Sequence, residues 1–237
     1  MKTKILNIII LVATLVGSLA MLFTMPDTVP VHFDFNGMAD RWGSKYELLI
    51  MPCLMLAMLV FWFIIDAFYK KKTNSSDDEK EIAEAKANMK VMNVVSVITS
   101  LMFAVINFIT LYASYSQLDG VSVSDFDILK VLTIVMGVSF VLMGNFMPKA
   151  KNNRNVGFRL PWTRYNDVTW QKSNRFAGIA MVISGIIITL GGIIFSGKVA
   201  MIIMLISLCV VFPILTVYAY LIYQDELKKA EKNSDEK

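Results

Sequence analysis

Six apolar runs, at about 5–25, 48–69, 91–113, 129–146, 176–195 and 200–223, decide what this chain can fold into. A helix of about 20 apolar residues, rising about 1.5 Å per residue, crosses the roughly 30 Å hydrocarbon core of a bilayer. Hydrocarbon offers no partner to a backbone amide, so only helices and closed barrels span it, and none of these runs alternates as a barrel strand does. The balance of residues agrees: of 237, 56% are hydrophobic and only 18% charged, with a mean hydropathy of +0.57, whereas a soluble domain carries about 25% charge. The expected fold is an all-α integral membrane protein with six transmembrane helices. The first run stays apolar up to Met25 and is followed by Pro26 and Asp27 rather than by a small-residue cleavage site. It is read as a retained helix and not as a leader peptide.

Lysine and arginine placement sets the orientation. Basic residues crowd the N-terminus (Lys2, Lys4), the second connection (Lys70, Lys71, Lys72, Lys80, Lys86, Lys90), the fourth (Lys149, Lys151, Arg154, Arg159, Arg164, Lys172, Arg175) and the tail (Lys228, Lys229, Lys232, Lys237). The first connection is net acidic (Asp27, Asp34, Asp40 and Glu47 against Arg41 and Lys45), and the third carries Asp119, Asp125 and Asp127. Both termini are therefore expected in the cytoplasm. The chain divides into a two-helix unit with an external loop (1–72), a linker and helix extension (73–90), a four-helix region (91–223) and a tail expected to fray (224–237). The polar piece at 70–90 opens as an Asn-Ser-Asp turn, and from about Asp78 its Ala, Glu and Lys content predicts an extension of the third span. The formal charge of +4 sits beside anionic membrane lipid in this arrangement, and no nucleic-acid partner is needed to explain it.

The residues that usually carry chemistry are scarce. His32 is the sole histidine, so neither a metal cluster nor a cofactor is expected, and no strand precedes a phosphate-binding loop because no strand is read. Asp66 is the one acidic residue within a span, and Lys70 one turn away places it at the headgroup boundary. Asn93, Asn107 and Asn145 are read as interhelical hydrogen-bonding groups, and Cys53 and Cys209 as small buried hydrophobes without a disulfide. Pro52 and Pro213 are expected to free carbonyls inside the second and sixth spans. Gly178, Gly185 and Gly192 recur every seven residues on one face of the fifth span, as do Gly137 and Gly144 in the fourth, and both sets are read as packing surfaces.

Two loops remain. The external one, 25–45, has Pro26 and Pro30, an Asn36-Gly37 turn suited to positive φ, and aromatic anchors in Phe33, Phe35 and Trp42. It is either an ordered re-entry segment docked on the bundle or a surface that recognises something arriving from outside. In the other, 155–175, Thr163 or Asn166 is expected to cap a helix that runs into the fifth span, with Trp162 and Trp170 at headgroup depth and arginines at the phosphates. That account covers the composition but not the order of the residues. On residue types alone, a small-solute transporter or channel is the alternative, and an enzyme acting on lipid phosphate a more distant one.

The order carries a resemblance. Asn155, Gly157, Phe158, Arg159, Leu160, Pro161, Trp162 and Thr163, followed by Trp170, Asn174, Arg175 and Gly178, resemble the G-[IF]-R-T-P-W-T…W…[TN]-x-R-x-x-G signature of the SdpI family, immunity proteins of a sporulation-delaying toxin system. Leu160 replaces the usual threonine and Arg164 a common leucine. Pro26, Val29, Pro30, His32, Phe33, Gly37, Ala39, Asp40, Gly43 and Ser44 resemble the motif of a small uncharacterised domain that often precedes the SdpI region. The resemblance implies a multi-pass protein of the bacterial cell membrane that confers resistance to a secreted toxin peptide, with no enzymatic activity. It also implies signal transduction, through a cytoplasmic winged-helix repressor held at the membrane. Pro30, His32, Phe33, Gly37 and Asp40 then become candidates for toxin or ligand recognition. Asn155, Gly157, Arg159, Pro161, Trp162, Thr163, Trp170, Asn174 and Arg175 become candidates for partner docking or for the structural core of the immunity fold.

The orientation is testable by labelling. Single cysteines at Asn36 and Asp119, in a background lacking Cys53 and Cys209, are expected to react with an impermeant reagent on intact cells. Cysteines at Ser75 and Asn152 are expected to react only after permeabilisation, and labelling of position 152 in intact cells would invert the topology.

Overall fold

The computed structural model describes residues 2–118, 127–153 and 155–235. Asp119, Asp125, Arg154 and Lys237, which enter the charge reading above, lie outside the described residues. The chain is an all-α, multi-pass membrane protein. Its helices are α1 (Lys2–Thr24), α2 (Ile50–Ser75), α3 (Glu79–Leu118), α4 (Ile128–Gly144), α5 (Asp167–Ile194) and α6 (Gly197–Asp235), and all six, α4 together with its continuation to Lys149, carry a stretch long and apolar enough to cross a membrane. α1, α2 and α3 pack together, α4, α5 and α6 pack together, and the contact of α3 with α4 joins the two groups.

Lipid tails are as apolar as leucine, so helices in a membrane associate by close packing and hydrogen bonds rather than by the hydrophobic effect. The two groups divide these means between them. α4 and α5 lie backbone to backbone along the glycines: a Cβ built at Gly185 would stand 2.6 Å from the Gly137 carbonyl oxygen, one at Gly178 2.7 Å from that of Gly144, and one at Gly192 3.2 Å from that of Lys130. Each contact advances seven residues along one helix and retreats seven along the other, the register of an antiparallel pair. α1 and α3 are tied instead by side chains. Asn7 Nδ2 donates to Ser96 Oγ and Asn107 Nδ2 to Ser18 Oγ, both at 2.9 Å and both across 89 residues of sequence. The constant offset means that these helices run parallel in a single register.

Several details depart from expectation. α2 continues through Lys70–Lys72 to Ser75 before the chain turns into α3. α6 stays helical to Asp235 where a fraying tail was expected, with Lys229 Nζ reaching Asp225 Oδ2 at 2.6 Å and Glu226 Oε1 at 3.0 Å one turn back. Cys53 and Cys209 are exposed on the outside of the bundle rather than buried, because in lipid an apolar residue gains nothing by turning inward. Asn145 bonds its own helix, donating to the Val141 carbonyl at 2.7 Å. Pro52 falls in the first turn of α2, where its missing N–H is no loss, whereas Pro213 does lie inside α6. Asp66 is buried and pairs with Lys4 Nζ at 2.5 Å and Lys70 Nζ at 3.1 Å, so the charge is neutralised by the first turn of α1 as well as by its own helix.

The glycine seam sets a stability expectation. Gly185→Ala places a methyl against backbone that cannot yield and is expected to cost about 1–3 kcal/mol, read as a lowered thermal midpoint in detergent. Gly191→Ala is expected to cost less, because its nearest neighbour is the flexible tip of Ile203 at 3.2 Å. Equal effects at the two positions would mean that the seam is not tight.

Candidate functional site: a hairpin and a signature loop at opposite ends

The segment between α1 and α2 is a β-hairpin, which corrects the expectation of no strands. β1 (Thr28–Phe33) pairs antiparallel with β2 (Ala39–Ser44), Thr28 opposite Ser44 and Phe33 opposite Ala39, with irregular register around His32. That irregularity and Pro30 erase the alternating pattern that would have marked strands in the sequence, and proline is tolerated because a two-stranded ribbon consists only of edges. Asp34 closes the turn by accepting the Asn36 and Met38 amides at 2.8 and 2.9 Å. The Met38 amide first, then that of Asn36, hold its carboxyl below the usual aspartate value, so this support is present at neutral pH and lost only as the pH falls through that lowered value. Gly37 supplies the positive φ of 76°.

The hairpin is docked on the bundle. Val29 is completely buried with Leu22, Met25, Leu48 and Leu111, and Phe33 packs on Ala113, Ile128 and Leu129. Two side chains on one face at the end of α3 hold the ribbon. Ser114 Oγ donates to the Pro30 carbonyl at 2.7 Å, and the Gln117 carboxamide accepts from Ala39 N and donates to the Gly37 carbonyl, both at 3.3 Å. Sequence reasoning missed Ser114 and Gln117, whose spacing of three on a helix end was the available signal. The motif residues thus sort into two sets. Pro30, Phe33 and Gly37 build and seat the hairpin, while His32 and Asp40 face outward as a pair, Nδ1 to Oδ1 2.6 Å, with side chains 63% and 46% exposed. Trp42 and Phe35 are exposed beside them.

At the other end, the segment between α4 and α5 is folded around buried carboxamides. Asn153 Oδ1 accepts the Asn155 and Val156 amides at 2.7 and 2.8 Å, and its Nδ2 donates to the carbonyls of Lys151 and Val156 at 2.6 and 3.0 Å. Asn88 Oδ1, from the extended part of α3, accepts Lys151 N at 2.7 Å. Asn174, fully buried on α5, accepts Phe158 N at 2.7 Å and donates to Trp170 O at 3.1 Å. Gly157 permits that approach. It has φ of 115°, and a Cβ there would meet Asn174 Oδ1 at 2.6 Å and the Trp170 ring at 3.0 Å.

The tryptophans are built into the packing of the loop. Trp170 is 2% exposed, and its Nε1 donates to the Ala150 carbonyl at 2.7 Å. Trp162 packs with Phe158, Ala177 and Ala219 and meets the Tyr220 ring edge-on at 5.8 Å, which pins the loop to α6. Thr163, fully buried, accepts Leu160 N at 2.9 Å and lies 3.0 and 2.9 Å from the Phe158 and Leu160 carbonyls, to one of which it donates. Asn166 caps α5 in a box closed by Thr169. Asp167 is held by Lys80 Nζ at 3.2 Å. Asn155 Nδ2 donates to Tyr69 Oη at 3.1 Å, joining the loop to α2. Arg159, Pro161 and Arg175 remain exposed. Asn88 and Asn153 were missed; the asparagine-rich run at 152–155 was the signal for the second, and nothing local marks the first.

Because Thr163 serves the loop backbone as both donor and acceptor, Thr163→Val is expected to cost about 1–3 kcal/mol, seen as a lower thermal midpoint and reduced membrane abundance. Thr163→Ser keeps the hydroxyl and is expected to stay close to the parent.

Residues 9–56, from α1 through the hairpin into α2, match the model of a domain of unknown function, DUF1648. Residues 149–219, the signature loop with α5 and most of the apolar part of α6, match the SdpI/YfhL protein family. The chain is 24% identical to Immunity protein SdpI of Bacillus subtilis (strain 168) over 224 residues, covering 94% of this chain and 97% of that protein. No solved structure matches. The chain thus joins a DUF1648 region, which contains the docked hairpin, to an SdpI/YfhL-family region built around the buried signature loop.

Proposed function

We propose that this is a cell-membrane immunity protein that protects its cell from a secreted toxic peptide, with the hairpin outside, the signature loop and both termini in the cytoplasm, and no chemical step. The observation that carries it is similarity along 94% of the chain to Immunity protein SdpI, which takes in both ordered loops. The outward His32–Asp40 pair, beside exposed Phe35 and Trp42, offers a mixed polar and aromatic face to an amphipathic peptide. The signature loop offers Arg159, Pro161 and Arg175 to a cytoplasmic partner, for which a winged-helix repressor held at the membrane is the proposed identity. Immunity is favoured over a small-solute transporter or channel because the similarity to an immunity protein runs along 94% of the chain.

Expression in a toxin-sensitive bacterium is expected to confer survival, with the toxin recovered chemically intact and no solute flux in proteoliposomes. Cleaved or modified toxin would move the protein to the enzymes, and flux without toxin to the transporters. His32→Ala and Asp40→Ala are expected to lower protection at near-normal membrane abundance; if abundance falls in step, the pair is structural.

The arginines differ in kind. An anchor needs only charge and reach, whereas forked hydrogen bonds need the planar guanidinium. Arg159→Lys is therefore expected to abolish protection or signalling while Arg164→Lys is tolerated, with abundance measured alongside. Two fully protective variants would reduce Arg159 to an interfacial anchor.

A further inference from the structure

Between the end of α2, the start of α3 and the signature loop lies a cleft of about 580 Å³, within the roughly 300–1,000 Å³ range of small-ligand sites. Its walls are rich in hydrogen-bond donors. Arg164 brings positive charge, as does Lys72, whose Nζ is shared with Glu81 at 3.0 Å, and Tyr69, Asn88 and Asn155 bring hydroxyl and carboxamide groups. Tyr69 already accepts from Asn155 Nδ2 at 3.1 Å, so its own proton is left to donate elsewhere. Asn88 uses its oxygen on Lys151 N at 2.7 Å, and its Nδ2 has no acceptor among the described residues. The one carboxylate of the lining, Glu84, lies 4.0 Å from Lys80, which also holds Asp167 at 3.2 Å. With Lys72 and Lys80 in ion pairs, Arg164 is the cation of the lining without a carboxylate among the described residues, and together with the hydroxyl and carboxamide donors it selects an anionic oxygen ligand.

Two further features separate a lipid from a free anion. Phe68, exposed on α2, and Ala85 give one side of the cleft an apolar wall, which a bare phosphate would not need. The site also lies where α2 leaves its apolar stretch through Lys70, Lys71 and Lys72, the depth at which headgroup phosphates lie. We propose that this cleft binds the phosphate-bearing headgroup of an anionic phospholipid, its phosphodiester between Arg164, Lys72 and Tyr69 and one acyl chain leaving past Phe68. Basic pockets between helices at a membrane's cytoplasmic face take such headgroups. The site is independent of toxin binding; the orientation proposed above enters only in assigning it to the inner leaflet.

The test uses the purified full-length chain in mild detergent, titrated with phosphatidylglycerol, phosphatidylcholine or inorganic phosphate, with retained lipid counted by native mass spectrometry. Phosphatidylglycerol is expected to be retained, phosphatidylcholine not, and inorganic phosphate at equal concentration is expected not to displace it. Arg164→Glu and Lys72→Glu are expected to weaken retention by at least about fivefold each, whereas Lys228→Glu, on the exposed far end of α6, leaves it unchanged. Tyr69→Phe, which also removes the acceptor of Asn155 Nδ2, is expected to weaken retention and to lower the lipid-free thermal midpoint. Displacement by inorganic phosphate would make this a free-anion site. Equal retention of phosphatidylcholine would make it an acyl groove, and an equal loss in Lys228→Glu would make the effect diffuse surface charge. Each of these outcomes overturns the proposal.

Discussion

The close approach of α4 and α5 is the constraint on which the signature end rests. The loop leaves α4 at Gly144 and re-enters α5 at Asp167, so the distance between the helices fixes where its two ends lie. Gly178 is the hinge of that arrangement: the space its missing side chain leaves is shared by the Gly144 carbonyl and the Pro148 ring, each within 2.9 Å of where a Cβ would be. With the chain tucked against α5 from its first residues, the Ala150 carbonyl comes within reach of the Trp170 indole, and Phe158 within reach of Asn174. A side chain at Gly178 would push Pro148 outward and leave buried amides without acceptors, which costs more than the contact itself.

The two ends of the molecule are built on the same plan. At each, a polar segment that hydrocarbon would not tolerate is tied to helices by carboxamides: Gln117 under the hairpin, Asn88 and Asn174 under the loop. Both segments also leave a small set of charged side chains unburied, His32 and Asp40 at one end and Arg159 and Arg175 at the other. α3 is the element common to both. It holds the hairpin through Ser114 and Gln117, the loop through Asn88, and α1 through Ser96 and Asn107 between them.

What was legible in the sequence follows the physics of each signal. The six spans are visible because bilayer thickness imposes a length, and the glycine seam because close backbone contact imposes a period. The cap at Asn166 was also visible, since an N-cap is a local interaction. The hairpin was not, because its strands are short and irregular and owe their pairing to α3 beneath them. The inward turn of Trp162 and Trp170 was hidden for a related reason: an indole at a membrane boundary has the same composition signature whether it faces lipid or packs inside the protein. The outward cysteines and the inward Asn7 reverse a soluble-protein habit of reading, in which apolar means buried. The family resemblance named Gly157, Thr163 and Asn174 together with Arg159, Pro161 and Arg175, and only the geometry separates residues that build the loop from those it presents.

The two ties between α1 and α3 have a consequence for sliding. Asn7 with Ser96 and Asn107 with Ser18 stand eleven residues apart on both helices, about 16 Å along the axis at about 1.5 Å per residue. A slip of either helix by one turn breaks both bonds at once and leaves two carboxamides against apolar side chains, so the pair acts as a lock on register rather than as two separate contacts.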